Sequence, residues 1–351
     1  MNTVIFAGGT GRRLWPLSRQ NSPKQFQVFK GEKSTLQMAV DRVREFGLDN
    51  VYISTNEKYT DTVSDQLPEL DESHILTEPA KRDLAAAVCL SLLRLKQRGL
   101  EGATAMLWAD HFMTKPDNFR QALEHGERLV EENPQQLVFL AEKPRFANEN
   151  MGWIHLGEQI KENEYKFRGW SYRPTKEKCE QMYQSGEWMW NPGYFIFDLD
   201  YCIELYQEYE PEMFAKIKRM VADEQKLNEK YENIEQKHFD DAIAERVDDD
   251  QAVVLKTDLG WSDPGTLYAL KEALTSSKSE NLTKGSGDIV VEDTEDSFVY
   301  NEEDKLTTAI GLDGKMVINT DDVLLVCSKD NMKDIKSILK LLQEKGLEQY
   351  L

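Results

Sequence analysis

The sequence is poor in the residues that staple small or extracellular folds. Four cysteines occur in 351 residues, at 89, 179, 202 and 327. None pairs as CxxC, so neither a disulfide framework nor a cysteine zinc site is indicated, and a reducing compartment is expected. The five histidines form no cluster. Long apolar runs are missing too: residues 85–93, broken by Ser91, give the longest, about half the ~18 residues a membrane span needs. The opening MNTVIFAGGTGRR carries its charges after its apolar run, the reverse of a signal peptide. These absences point to a soluble, cytoplasmic protein with no membrane partner. Basic residues are also in short supply. With 43 Lys and Arg against 63 Asp and Glu, the net charge is −20. Such a surface repels nucleic acid and anionic membranes, so a polyanionic ligand must find a local basic pocket.

What is present is an ordinary globular composition, 40% apolar, 10% aromatic and 30% charged, which excludes disordered and collagen-like chains. At about 150 residues per domain the length suggests roughly two domains. The first half alternates short apolar runs with longer amphipathic ones, as in an α/β fold with a Rossmann-like, mostly parallel sheet and helices on both faces. Strands are expected at residues 3–7, 51–54, 75–77, 103–108 and 137–140. Leu36, Ala39, Val40, Val43 and Phe46 recur at helical spacing up to Gly47. A second helix is expected from Asp83 as N-cap to Gly99, and a third from Pro116. Further on, a strand at 166–170, a helix at 177–184 and a strand at 194–197 precede a charged helical region reaching Arg246, whose polar face is read as solvated. From Ser276 the chain reads as a polar linker into a β-rich tail, with strands at 289–291, 297–300, 306–310, 316–318 and 323–326. Leu312-Asp313-Gly314 reads as a hairpin turn. A closing helix carries Met332, Ile335, Ile338, Leu339 and Leu342. The domains expected are 1–280 and a smaller β-rich 281–351, either a short β-helix or a compact sheet.

The first strand runs into Gly8, Gly9, Thr10 and Gly11, where the lack of side chains lets backbone N–H groups approach a phosphate. Residues 1–31 hold Arg12, Arg13, Arg19, Lys24 and Lys30 with no acidic residue, a local charge of +5 in an acidic chain. Anion binding is the reading. The segment fits neither GxxxxGK[ST] nor GxGxxG.

The continuation Arg13-Leu14-Trp15-Pro16-Leu17-Ser18-Arg19, followed by Pro23-Lys24-Gln25-Phe26, resembles the sugar-nucleotide pyrophosphorylases, specifically the mannose-1-phosphate guanylyltransferases. Thr77-Glu78-Pro79-Ala80 with Arg82 looks like that family's EPxxR segment, and Asp110-His111 its metal-binding Asp-His. Met151-Gly152-Trp153-Ile154 resembles the end of its GYGYI, Trp190-Asn191-Pro192-Gly193 its WNSG, and Gly260-Trp261-Ser262-Asp263 its GWSD. The β-rich tail resembles the extension that follows the family's nucleotidyltransferase domain.

The resemblance implies transfer of GMP from GTP to mannose-1-phosphate, giving GDP-mannose and pyrophosphate, with Mg²⁺ as cofactor and a homodimer left open. Taken alone, Asp110 and Asp263 read as turn or capping residues; the family motifs make them the metal-binding pair. Arg13 and Lys24 are implied as catalytic cations. Gly8, Gly9, Thr10, Gly11, Arg12, Glu78, Pro79 and Arg82 are implied at the nucleotide, and Gly152, Tyr172, Arg173 and Asn191 at the sugar phosphate. Such a transfer needs in-line attack at the α-phosphorus and neutralisation of the departing pyrophosphate, with no covalent side chain. His111 is read as support for Asp110, and Trp188 and Trp190 as packing.

Several positions depart from the family pattern. Tyr172-Arg173-Pro174 stands where Glu-Lys-Pro is usual, which removes a carboxylate expected at the sugar. Glu142-Lys143-Pro144 lies before Gly152 rather than after it and is read as coincidence. Arg12 replaces Thr, Asp83 Asn, and Pro192 Ser. Two other readings therefore stay open: the same chemistry with another hexose-1-phosphate or nucleotide, and a non-catalytic relative that senses a sugar nucleotide.

Overall fold

Val4 and Ile5, then Val51 and Ile53, supply β-branched residues in runs too short for a helix, and in the computed structural model their strands lie side by side, with the apolar run at Ala105 and Leu107 on the other side of the first. The structure describes residues 1–9 and 11–351. It separates into two compact units. The first holds residues 1–8, 37–109 and 113–261, and the second 9–36, 110–112 and 262–351.

The strands that build the first unit, in chain order, are β1 (Asn2–Phe6), β2 (Val51–Asn56), β3 (Ile75–Glu78) and β4 (Ala103–Trp108). After the two-residue β5 (Phe112–Met113) come β6 (Leu137–Glu142), β7 (Gly152–Lys161), β8 (Glu164–Tyr172), β9 (Trp188–Asp198) and β10 (Ala252–Thr257). Nine of them make one sheet in the order β3-β2-β1-β4-β9-β6-β10-β8-β7. The β3-β2-β1-β4 half is parallel. Beyond it β9 runs antiparallel between β4 and β6, so the sheet is mixed. Because β1 has β2 on one side and β4 on the other, chain order reverses at β1, the place where open α/β sheets bind ligands beyond the strand ends.

The helices α1 (Thr35–Asp41), α2 (Thr60–Gln66), α3 (Asp83–Gln97) and α4 (Pro116–Glu132) follow in chain order. The first is shorter than its apolar spacing predicts, since tight turns take over before Phe46. α3 is buried from Ala85 to Leu93 on nearly all sides, as its apolar surface requires. Asp83 does not cap it: it lies at φ 55°, and Arg82 occupies the cap position with no side-chain hydrogen bond. Pro116 opens α4 as expected.

The residues expected to form a linker include a strand, β12 (Leu282–Lys284), after the short β11 (Trp261–Ser262). It pairs in parallel with β14 (Phe298–Asn301), and β14 with β16 (Lys315–Asn319); β13 (Ile289–Glu292) pairs in parallel with β15 (Thr307–Ile310). Partners such as Phe298 and Met316, or Ile289 and Thr307, are 18 residues apart, the spacing of a short β-solenoid rather than of hairpins. Residues 312–314 therefore join strands of different sheets and make no hairpin. Inside a turn of the solenoid, buried Asn301 donates to the carbonyls of Asp288, Glu303 and Lys305 and accepts from Asn319 Nδ2 at 2.8 Å. The antiparallel strand β17 (Leu324–Ser328) closes this sheet. Buried Asp296 links the helix at Leu267–Leu274 to the solenoid, since its carboxylate accepts from Lys271 Nζ at 2.8 Å, Lys329 Nζ at 2.6 Å and the Tyr268 hydroxyl at 3.0 Å. The compact units do not follow the boundary near 280, because the basic segment 9–36 belongs with the C-terminal residues. Among the described residues no helix is long and apolar enough to cross a membrane.

Candidate active site

In the second unit, Lys24 is nearly buried and its Nζ lies 3.1 Å from both Asp110 Oδ2 and Asp263 Oδ1. Three residues distant in sequence thus meet at one point. Lys24 is held by the tight turn Lys24–Phe26 after Pro23, whose carbonyls at Lys24 and Gln25 accept from the Thr35 hydroxyl. Gly11 makes this possible: at φ 57° it is in the left-handed region, and a Cβ there would meet Ser18 Oγ and crowd the Lys24 backbone at 3.0 Å.

Burial works against the charge of Lys24, but Asp110 and Asp263 outweigh it and hold its pKa above the usual lysine value. Burial likewise opposes ionisation of Asp263. Lys24, His111 and Arg13 overcome that, so its carboxyl is pulled down to about 2. Lys24 and Asp263 are thus both charged across the physiological range. His111 is buried with Nε2 3.9 Å from Asp110 Oδ1, consistent with support of that carboxylate. Arg12 and Arg13 are exposed on the turn that follows Gly11. Gly265, which the sequence reading missed, leaves room for Arg13: a Cβ at 265 would lie 2.8 Å from Nη2. Gln25 Nε2 donates to the Gly9 carbonyl at 3.0 Å, fixing the glycine turn. Thr10 lies outside the described residues.

The remaining expected residues lie in the first unit. A Cβ at Gly8 would stand 3.3 Å from Glu78 Oε1, so the glycine admits the carboxylate. Glu78 is buried at the end of β3, and its Oε2 accepts from the Tyr231 hydroxyl at 3.3 Å. Burial raises its pKa to about 7, against the smaller opposing effects of Tyr231 and Lys81. Pro79 and Arg82 follow in the loop before α3. Arg82 Nη2 is 3.7 Å from Glu232, while its Nε is buried with no hydrogen-bond partner among the described residues. An orphaned guanidinium nitrogen of that kind is costly unless a ligand accepts from it.

Gly152 pairs in register with both Tyr172 on β8 and Asn191 on β9, so the structure brings three of the four expected acceptor residues side by side. The fourth, Arg173, follows at φ 45° and lays its guanidinium 5.0 Å from the Tyr172 ring centre. Asn191 is oriented by Gly193 N, which donates to Oδ1 at 2.8 Å, and its Nδ2 lies 3.5 Å from Asp240 Oδ1. Burial pushes the Asp240 carboxyl up to about 6. Asp240 was read as part of a solvated helical face; it instead opens a wide, π-type turn (Asp240–Ala244) beside Asn191. A carboxylate thus lies beside Asn191 at position 240, where the sequence has none at 172.

Glu142 is fully buried and accepts from the backbone N–H of Leu259 at 2.7 Å and of Trp261 at 3.1 Å, a structural role that matches its reading as coincidence. Trp190 is buried edge-on against Trp153 and Trp261, and Trp188 stacks on His155, so both are packing residues.

Among the described residues no group of three or more His, Cys, Asp and Glu gathers as a metal-ligand set. The chain offers two carboxylates at one point. That donor set suits a hard divalent cation that takes its other oxygens from phosphates and water.

Comparison with known proteins places these features in context. Residues 2–280 match the family described as nucleotidyl transferase, and residues 287–342 match the MannoseP isomerase/GMP-like beta-helix domain. The mannose-1-phosphate guanylyltransferase of Escherichia coli K12 is 30% identical over 99% of this chain and 74% of its own length. Mannose-1-phosphate guanylyltransferase 2 of Escherichia coli O157:H7 is 29% identical over 99% of this chain and 74% of its own length. A crystal structure from Thermus thermophilus, described as a mannose-1-phosphate geranyltransferase, superposes with a TM-score of 0.87 at 27% identity, over 97% of this chain and 99% of that one.

Proposed function

The chain belongs to the nucleotidyl transferase family, and from that premise we propose that it transfers GMP from GTP to mannose-1-phosphate, giving GDP-mannose and pyrophosphate. The observation that carries this reading is Lys24 held at 3.1 Å from both Asp110 and Asp263. A protein that only senses a sugar nucleotide needs the glycine turn but has no use for two carboxylates around a lysine.

The reaction needs no nucleophilic side chain. An oxygen of the sugar phosphate attacks the α-phosphorus of GTP, the bond to the β-phosphate oxygen breaks, and that oxygen leaves with the electron pair as part of pyrophosphate. Asp110 and Asp263 would hold Mg²⁺, which supplies charge neutralisation at the phosphate oxygens when bound. Lys24, Arg12 and Arg13 contribute positive charge for the triphosphate, and Gly8, Gly9 and Gly11 leave their backbone N–H groups open to it. Glu78, Pro79 and Arg82 belong to the nucleoside end, where the unpartnered Nε of Arg82 calls for an acceptor. Gly152, Asn191, Tyr172 and Arg173 receive the acceptor, with Arg173 as phosphate partner. In this reading residues 1–280 carry the chemistry and 281–351 form the solenoid that braces it. The enzyme acts in the cytoplasm, with GTP and mannose-1-phosphate as partners and no nucleic acid.

The test is pyrophosphate release across GTP, ATP and UTP against mannose- and glucose-1-phosphate, with Mg²⁺ or with a chelator. Release is expected to be fastest with GTP and mannose-1-phosphate and to stop with the chelator. Absence of release from every pair would favour a sensor, and preference for another pair would reassign the substrates.

A further inference from the structure

The second half of the basic motif is fastened to the C-terminal residues. Trp15 Nε1 donates to the Tyr350 carbonyl at 2.7 Å. Arg19 makes a two-pronged ion pair with Asp322, with Nη1 2.7 Å from Oδ2 and Nη2 against Oδ1, and Nη2 also donates to the Thr320 hydroxyl at 3.3 Å. All five residues belong to the same compact unit. Asp322 answers in kind: the Arg19 hydrogen bonds hold its carboxyl below the usual range despite the opposing effect of burial.

Between these anchors and the exposed Arg12 and Arg13 the backbone is one chain of short turns. Leu14 N donates to the Gly11 carbonyl at 2.9 Å, Trp15 N to Arg12 at 3.3 Å, and Leu17 N to Leu14 at 2.9 Å. Arg19 Nε returns to the Pro16 carbonyl at 3.2 Å. Each of these bonds joins residues three apart, so the anchors at Trp15 and Arg19 are coupled through the backbone to Arg12 and Arg13. A flexible cationic loop would have to be ordered at each encounter with triphosphate, and a fastened one is ordered in advance.

We propose that Trp15 and Arg19 are positioning residues, and that the Asp322–Thr320 corner of the solenoid and the Tyr350 carbonyl act through them to preorganise the triphosphate-binding arginines. The solenoid then sets affinity for the nucleotide rather than serving as a passive brace. This rests on the assignment of Arg12 and Arg13 to the triphosphate.

The experiment measures kcat and both KM values for Asp322→Asn, Trp15→Phe, Asp322→Glu and Arg13→Ala, with thermal unfolding as the check on folding. Asp322 is partly exposed, so its substitution leaves the core untouched. Loss of one charge-assisted anchor is expected to raise KM for GTP ~10-fold in Asp322→Asn and by somewhat less in Trp15→Phe, with kcat and the acceptor KM within ~2-fold. Asp322→Glu keeps the carboxylate and is expected to restore much of the GTP affinity. If Arg13→Ala raises KM for GTP while Asp322→Asn and Trp15→Phe do not, the positioning role is overturned and the assignment of the arginines stands. If Arg13→Ala also leaves it unmoved, the assignment itself falls. Equal losses for both substrates would mark the contacts as general scaffold and likewise overturn the proposal.

Discussion

The two units carry pairs of carboxylates in opposite electrostatic settings. In the second unit Asp263 is drawn down to about 2 because Lys24, His111 and Arg13 outweigh burial, and Asp110 shares the same lysine. In the first unit burial pushes Glu78 up to about 7 and Asp240 up to about 6, against only weaker opposing effects. The difference lies in the company each keeps, since burial opposes charge at Asp263, Glu78 and Asp240 alike. A carboxylate that stays charged at every physiological pH suits cations and phosphates. One that titrates near neutrality can accept from, or donate to, the uncharged hydroxyl and amide groups of a sugar or base.

The contrast is most exposed to attack at the charged pair. Asp110→Asn and Asp263→Asn are each expected to leave the fold intact and to lower turnover at least ~100-fold, the scale of losing a principal electrostatic stabiliser. Near-normal pyrophosphate release by either variant with Mg²⁺ present would remove the pair from the chemistry and erase the distinction between the units.

For the two buried acids of the first unit the signature is a stability slope. Folded Glu78 titrates at about 7, against about 4.3 for an unperturbed glutamate, so between those values the folded state holds a proton that the unfolded state has released. Stability is therefore greatest below the unfolded value and falls as pH rises through about 7. The fall amounts to at most about 4 kcal/mol for this group. Asp240 adds a similar, smaller slope that ends near pH 6. Denaturant unfolding at pH 5 and pH 8 checks this: Glu78→Gln should flatten most of the difference, and an unchanged slope would mean that Glu78 is not the buried acid.

How much of this was legible in the sequence follows the range of the interactions. The strand before Gly8, the position of Asp110 after β4 and the basic run are local signals, and they mark the parts of the site that a short stretch can encode. The solenoid was less legible because its pairings join residues 18 apart, as Phe298 with Met316, while a local Leu-Asp-Gly looks like any turn. Asp240 was hidden in a run of charged residues, where burial depends on the tertiary position of a π-type turn. Gly265 had no signal in the sequence. Its importance is the space it leaves for an arginine more than 250 positions away.

That glycine sharpens the charged side of the comparison. A Cβ at 265 would meet only the flexible end of Arg13, so Gly265→Ala should cost less than ~0.5 kcal/mol of stability. Displacing the guanidinium should nevertheless raise KM for GTP ~10-fold, and adding Arg13→Ala should cause little further loss, because the two changes act on one interaction. Additive effects in the double variant would separate Gly265 from Arg13.

The smallest expected effect lies at the acceptor, where Asp240 is set against Tyr172. The sequence alone, with Tyr172 in place of a carboxylate, would point to relaxed sugar selectivity. The tyrosine is 67% exposed, with its ring against Arg173, whereas Asp240 sits 3.5 Å from Asn191 beside Gly152. A carboxylate held next to an oriented amide discriminates hydroxyl geometry better than an exposed phenol, since a hydrogen bond to it is charge-assisted when it is ionised. Asp240→Asn should therefore reduce the preference for mannose-1-phosphate over its epimers, and should flatten any change in acceptor kcat/KM around pH 6. Tyr172→Glu should alter the same preference by no more than ~3-fold, because an exposed group shares its hydrogen bonds with water. The measurement is kcat/KM for epimeric hexose-1-phosphates in the parent and both variants. If Tyr172→Glu reorders the epimers while Asp240→Asn does not, position 172 faces the sugar after all, and the raised pKa of Asp240 reflects burial without recognition.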